Sequence, residues 1–383
     1  MKPYEQFVEN MLSAVRSGQG KDPAAATALI QDALRNAGLM PGAPAATPSA
    51  AEAPARAPFV DLNGVPDWLR RQATAKGGKP ADDWRARLDA LRPRPQPVTP
   101  DAPGQFIEGS FGNAAGTRRY RLYVPARAAT GPRPLVVMLH GCQQSAADFA
   151  AGTAMNRLAE EQGCLVLYPD QERSANSSNC WNWFDATHQQ REQGEPSLLA
   201  GMTRKIVQEH GADPRRVYIA GLSAGGAMAA VMGAAYPELY AAVGVHSGLP
   251  VGAARDLMSG LNAMKGKHLH GASRTLRRRV PLIVFHGDQD AVVHPSNGEV
   301  LIRQFLGDGT VREIEERGTA GTGRGHTRTT ALDDAGRAVA EHWVVHGAGH
   351  AWAGGDPSGS YTDAAGPSAS AEMLRFFLDQ AGD

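Results

Sequence analysis

Gly221-Leu222-Ser223-Ala224-Gly225 lies between the apolar run Val217-Tyr218-Ile219-Ala220 and the small-residue run Ala227-Met228-Ala229-Ala230. The first run reads as a buried strand and the second as a helix, so Ser223 falls on the tight turn between them. Such a turn holds a serine in strained backbone geometry at a strand's end, and flanking glycines let strand and helix approach closely. A nucleophile elbow is expected here.

On either side of the elbow, apolar runs at 135–139, 164–168, 241–245, 282–285 and 342–345 are each long enough for a buried parallel strand. Helical stretches at 197–210 and 224–235 lie among them, and 369–379 closes the chain as a helix. Strand-helix alternation predicts a doubly wound, mostly parallel sheet, and with the elbow it predicts an α/β-hydrolase fold. Residues 105–111 and 118–124 read as an opening hairpin across Gly112-Asn113-Ala114-Ala115-Gly116. The catalytic domain is therefore expected over 105–383.

The first hundred residues differ in kind. Residues 3–38 read as two helices, with Phe7, Met11, Leu12 and Val15 on one face and Leu29, Ile30 and Leu34 on another, giving a helical segment over 1–40. Of the 18 residues from Pro41 to Pro58, 13 are Pro or Ala, a composition that resists a packed core and reads as linker. That linker is expected over 41–104, with Trp68, Leu69, Trp84 and Leu88 as short helical anchors. The architecture is thus an α/β core with a small helical extension, and the N-terminal helices are candidates for contact with a protein partner or a polymer granule.

Lys and Arg together number 39, as do Asp and Glu, so charge gives no reason to expect nucleic acid or an anionic membrane as partner. The N-terminus, Met1-Lys2-Pro3-Tyr4-Glu5, has an acidic residue where a secretory signal needs an apolar core, and no run is long enough to span a bilayer. A cytoplasmic protein is the expectation. Three cysteines are too few for a disulfide-built scaffold.

A serine hydroxyl needs a general base, usually histidine, and a third group that fixes the histidine's tautomer. In this fold they follow in the order Ser, Asp or Glu, His, each at a strand's C-terminal end. The strand at 282–285 runs into His286-Gly287-Asp288-Gln289-Asp290. Asp290, farther along the loop, is taken as the acid over Asp288, for which backbone hydrogen bonding in the turn is the alternative. The strand at 342–345 runs into His346-Gly347-Ala348-Gly349-His350, where His350 is taken as the base and His346 is expected beneath the site. The oxyanion hole is expected from the amides of Ala224 and Cys142, the latter in the loop His140-Gly141-Cys142-Gln143-Gln144. His140 is expected to hold that loop's shape. No metal and no organic cofactor is required.

At His140-Gly141-Cys142-Gln143-Gln144, Asn179-Cys180-Trp181-Asn182-Trp183-Phe184, the elbow, the stretch from His286 to Pro295, and Gly349-His350-Ala351-Trp352, the chain resembles the poly(3-hydroxybutyrate) depolymerase esterases. That family is related to feruloyl and acetylxylan esterases, and the resemblance covers roughly 105–380. It implies Ser223, Asp290 and His350 as the triad, a disulfide between Cys142 and Cys180, and Trp181, Trp183 and Trp352 as an aromatic wall of the substrate crevice. The implied activity is hydrolysis of polyester, its oligomers or small esters through an acyl-enzyme, with a carbohydrate-directed feruloyl or acetylxylan esterase as alternative. Many members are extracellular, which is the alternative to a cytoplasmic location. A non-catalytic binding protein on the same fold, and a peptidase of the prolyl-oligopeptidase type, are the other readings. The 104 residues before the catalytic domain are too few for a propeller, which weighs against the peptidase.

Overall fold

The computed structural model describes residues 102–380 apart from 129, 268–275, 277 and 322. The helical segment expected over 1–40 and nearly all of the linker expected over 41–104 lie outside the described residues. Those that are described belong to the second of two units, Pro93–Asp383.

Ten strands form one sheet: β1 (Gln105–Asn113), β2 (Gly116–Val124), β3 (Arg133–Leu139), β4 (Leu165–Pro169), β5 (Ala212–Leu222), β6 (Ala242–His246), β7 (Leu282–Gly287), β8 (Arg312–Thr319), β9 (Gly325–Leu332) and β10 (Ala338–Val345). Their spatial order is β1-β2-β4-β3-β5-β6-β7-β10-β9-β8. The six central strands, from β4 to β10 in that order, pair in parallel. Antiparallel hairpins extend both edges, β1-β2 on one side and β8-β9 on the other.

The first hairpin lies where its alternating pattern predicts; the second was not anticipated from sequence. Its strand β8, Arg-Glu-Ile-Glu-Glu-Arg-Gly-Thr, is exposed almost throughout and carries no apolar signal. A charged edge strand also discourages further pairing, which is a reason for such a sequence at that place.

The central strands are apolar over most of their buried length because helices cover both faces. Leu135, Val137 and Leu139 of β3 point into one core with α3 (Gly194–His210), α4 (Ala224–Ala235), α5 (Leu257–Met264) and α6 (Ser296–Leu306). Val136 and Met138 point into the other with α1 (Ala146–Thr153), α2 (Met155–Gln162) and α7 (Ala369–Leu378). A short pair, β11 (Trp352–Ala353) with β12 (Thr362–Asp363), lies beyond β10. Cys142, Ser223, Asp290 and His350 lie in loops just beyond the C-terminal ends of β3, β5, β7 and β10. Among the described residues no helix is long and apolar enough to cross a membrane.

Candidate active site

Ser223 links β5 to α4 with φ 56° and ψ −118°, a conformation that costs a non-glycine residue on the order of 1–3 kcal/mol. Its neighbours explain how it persists. A Cβ on Gly221 would stand 2.4 Å from the Gly225 carbonyl, and one on Gly225 only 2.1 Å from Leu139 O. The Ser223 amide is tied to His246 O of the adjacent strand at 2.9 Å. The strain is thus enforced by packing that only glycine permits at both positions.

Asp290 lies three residues beyond β7, with its side chain fully buried. Oδ1 accepts the amides of Val292 and Val293, each at 2.9 Å. Oδ2 stands 2.7 Å from His350 Nδ1. Burial works to raise the pKa of Asp290, but the hydrogen bond and charge of His350, with the Val293 amide, outweigh it and hold the carboxyl below its ordinary value. The acid and base loops meet closely: a Cβ on Gly287 would lie 2.3 Å from Ala348 O.

Asp288 points elsewhere. Its Oδ1 accepts the Gly347 amide at 2.8 Å and its Oδ2 faces His346 Nδ1 at 3.1 Å. This is the backbone role allowed for it from sequence. His346, expected beneath the site, is instead half-exposed, with Nε2 2.9 Å from Thr327 Oγ1. The β8-β9 hairpin supplies Thr327, so a histidine at that strand end has a polar edge to face rather than a core.

The loop after β3 has most of its amides occupied. Gly141 N donates to Gln144 Oε1 at 2.9 Å, Gln143 N to Ser178 O at 2.7 Å, and Gln144 N to Gly141 O at 3.3 Å. Among the described residues, the Cys142 amide between them has no protein acceptor. Ala224 opens α4, so its amide has no acceptor within its own helix. Cys142 is bonded to Cys180, with Cα atoms 4.2 Å apart. Cys164 is a buried free thiol whose pKa burial pushes up to about 12.

His140 has both nitrogens engaged: Nδ1 donates to Gly141 O at 2.8 Å and Nε2 accepts the Gln171 amide at 3.0 Å. Gln171 continues to Cys180 O at 2.9 Å and to Glu195. Buried Glu195 in turn accepts the Asn182 amide at 2.7 Å and stands 3.5 Å from Arg118. This network fixes the Cys180–Trp183 segment against the loop after β3. A glutamate at a helix start gives no sequence signal for it.

The three tryptophans do not form one exposed wall. Trp181 is fully buried beside His140, with ring centroids 5.7 Å apart, and Trp183 is 7% exposed, edge-on to Phe184. Trp352 is buried in the core on the opposite face of the sheet, stacked on His246 at 5.1 Å and donating to Ser370 Oγ at 3.0 Å. The expected crevice role of Trp181 and Trp352 is therefore corrected to core packing. The apolar groups exposed next to the site are others. Val292 follows Asp290, and Tyr361 reaches Gln143 Oε1 with its hydroxyl at 3.0 Å. Among the described residues no group of three or more His, Cys, Asp or Glu is arranged to hold a metal ion.

A family model described as "Esterase PHB depolymerase" matches residues 118–329, more than half of the chain. The chain belongs to this esterase family. Poly(3-hydroxyalkanoate) depolymerase C of Paucimonas lemoignei is 30% identical over 252 residues, 63% of this chain and 60% of that protein. Acetylxylan esterase A of Talaromyces purpureogenus is 29% identical over 222 residues, 53% of this chain and 56% of that protein. The chain thus spans about 60% of the length of these two curated relatives. Among solved structures, an acetyl xylan esterase from Aspergillus awamori superposes with a TM-score of 0.56 at 22% identity, over 72% of this chain and 99% of that one. The likeness establishes the fold, which is that of the α/β hydrolases.

Proposed function

We propose that this protein is a serine carboxylic-ester hydrolase acting on a poly(3-hydroxybutyrate)-like polyester or its oligomers through an acyl-enzyme. The observation that carries the reading is the buried Asp290 at 2.7 Å from His350 Nδ1, in loops that leave the C-terminal ends of β7 and β10, the same end of the parallel sheet at which the strained Ser223 follows β5. Asp290 keeps the His350 proton on Nδ1 and leaves Nε2 free to accept. Ser223 Oγ attacks the ester carbonyl as its proton passes to His350 Nε2. The amides of Cys142 and Ala224 donate to the oxyanion that forms, and the disulfide and Gln144 side chain restrain the loop that presents the first of them. His350 then protonates the leaving alkoxide. Water repeats the sequence on the acyl-serine, so atoms and protons balance at each half-reaction.

Two features favour a polyester over a sugar ester. The loops beside the site expose Val292 and Tyr361, surfaces suited to an aliphatic chain, whereas a sugar needs several converging donors and acceptors. A polyhydroxyalkanoate depolymerase is also among the relatives at 30% identity. The acetylxylan esterase reading is supported by a relative at nearly equal identity. The Cys142–Cys180 disulfide supports an oxidising, extracellular setting over the cytoplasm.

Turnover of 3-hydroxybutyrate oligomers, acetylated xylan and feruloylated sugars is to be compared in wild type and Ser223→Ala, with fluorophosphonate labelling as a count of active serines. Activity on sugar esters alone refutes the polyester assignment. Equal labelling of Ser223→Ala refutes the nucleophile.

A further inference from the structure

Behind Asp290 lies a set of buried histidines that the steps above leave unused. His286, near the end of β7, is 1% exposed. Its Nε2 stands 2.9 Å from the Val293 carbonyl and 3.5 Å from Asp290 Oδ2. A carbonyl only accepts, so Nε2 carries the proton and donates to Val293. Burial lowers the pKa of the ring against the pull of Val293 and Asp290, which keeps it neutral and leaves Nδ1 with a bare lone pair.

That Nδ1 is buried without a hydrogen-bond partner among the described residues, and so is His342 Nε2. Both atoms face the same point. A Cβ built on Gly298 of α6 would lie 3.0 Å from His342 Nε2 and 3.2 Å from His286 Nδ1. The two histidines sit on paired strands, since Val344 is opposite His286 and His342 is opposite Val284. Two unsatisfied nitrogens converging beside a residue with no side chain are the two polar partners that a single buried water requires.

We propose that His286 is a positioning residue for the acid of the triad, held as its neutral Nε2–H tautomer by one water shared with His342 across Gly298. The inference rests on the triad reading given above. Val293 is the link: its amide donates to Asp290 Oδ1 and its carbonyl receives His286, so His286 pins the turn that orients the carboxylate. Neutrality matters because an imidazolium at this place would draw the Asp290 charge away from His350. The groups facing His286 are Asp290 and His294 from its own turn, His350 from the loop after β10, His342 from β10 and His246 from β6.

The test compares His286→Leu, His286→Gln and Gly298→Ala with wild type on a soluble 4-nitrophenyl butyrate ester, measuring kcat, KM, pH profile and melting. His286→Leu cannot donate to Val293 and is expected to lose about 100-fold in kcat with KM little changed, the scale of a displaced catalytic group. His286→Gln, whose amide can donate to Val293, is expected to recover about tenfold of that loss. Gly298→Ala keeps the helix, which favours alanine, but fills the gap; kcat is expected to fall about tenfold and the acid limb of kcat/KM to shift. A merely structural role would move melting and leave that limb in place.

A Gly298→Ala protein with wild-type melting and kcat within about twofold of wild type overturns the proposal, as does His286→Gln falling as far as His286→Leu. If His286→Leu does not fold, the other two variants decide. Ser223→Ala, assayed alongside, isolates the underlying reading: its retention of activity would remove the triad, whereas its loss with unaffected His286 and Gly298 variants would remove only this inference.

Discussion

Replacing Asp290 by asparagine isolates the charge and proton placement of the acid from its shape. The asparagine oxygen can still take the Val292 and Val293 amides, now 2.9 Å from Asp290 Oδ1, so the turn keeps its two internal hydrogen bonds. The other branch becomes an NH2 group where Asp290 Oδ2 now stands 2.7 Å from His350 Nδ1. Two donors cannot share a bond, so His350 must offer a lone pair at Nδ1 and carry its proton on Nε2. A ring in that tautomer cannot accept the Ser223 proton. The same exchange in a serine protease triad lowers kcat about 10⁴-fold, which corresponds to a barrier rise of about 5 kcal/mol. We expect a loss of that size on 4-nitrophenyl butyrate, with KM and melting temperature close to wild type. Asp290→Ala should lose stability as well, because the buried Val293 amide then lacks its acceptor, at about 1–3 kcal/mol. A folded Asp290→Asn protein that loses less than about tenfold in kcat would show that the acid lies elsewhere.

Asp288→Ala tests the rival carboxylate: it removes the tie to Gly347 and His346, and kcat on the same ester is expected to fall by no more than about tenfold, far less than for Asp290→Asn. Cleaving the Cys142–Cys180 bond by Cys180→Ser frees a loop of sequence separation 38, worth about 4 kcal/mol by chain entropy, and loosens the loop that carries the Cys142 amide. Both melting temperature and kcat should drop, and an unchanged kcat would separate the disulfide from the oxyanion site. His246 is buried, and burial, reinforced by His286 and His350, lowers its pKa from 6.5 to about 3. The unfolded ring therefore binds a proton that the folded ring refuses, so its contribution is complete above pH 6.5 and is lost as pH falls toward about 3. Between about pH 7 and about pH 5, above the main carboxylate range, His246 should contribute a loss of about 1 kcal/mol per pH unit, and His246→Gln should reduce the measured slope by that share, leaving the parts due to buried His286 and His342.

Much of the fold is legible along the chain because its signals are local. An unbroken apolar run between turn residues marks a strand covered on both faces, and β3, β4, β6, β7 and β10 all coincide with such runs. The edge hairpin β8-β9 escapes that reading because it is polar where the signal must be apolar. The elbow is legible for a similar reason: a Cβ on Gly221 or Gly225 would come within 2.4 Å or 2.1 Å of backbone in the strand-turn-helix unit and its neighbouring strand, so only glycine fits.

What the sequence determined by itself is the order of chemistry-bearing residues at strand ends and the backbone that can present them. Which way those side chains turn was decided by tertiary structure alone. Asp288 and Asp290 leave the same loop, yet one meets Gly347 and the other His350, because partners brought by β10 choose between them. Trp181 and Trp352 both flank functional motifs, but opposite faces of the sheet bury them in separate cores. His286 and His342 are nearly sixty positions apart and gain a common neighbour only when α6 lays Gly298 across β7 and β10. Strand patterns and glycine turns are set by near neighbours in the chain, whereas hydrogen-bond partners in a buried site come from distant segments, and only the packed sheet brings them within reach.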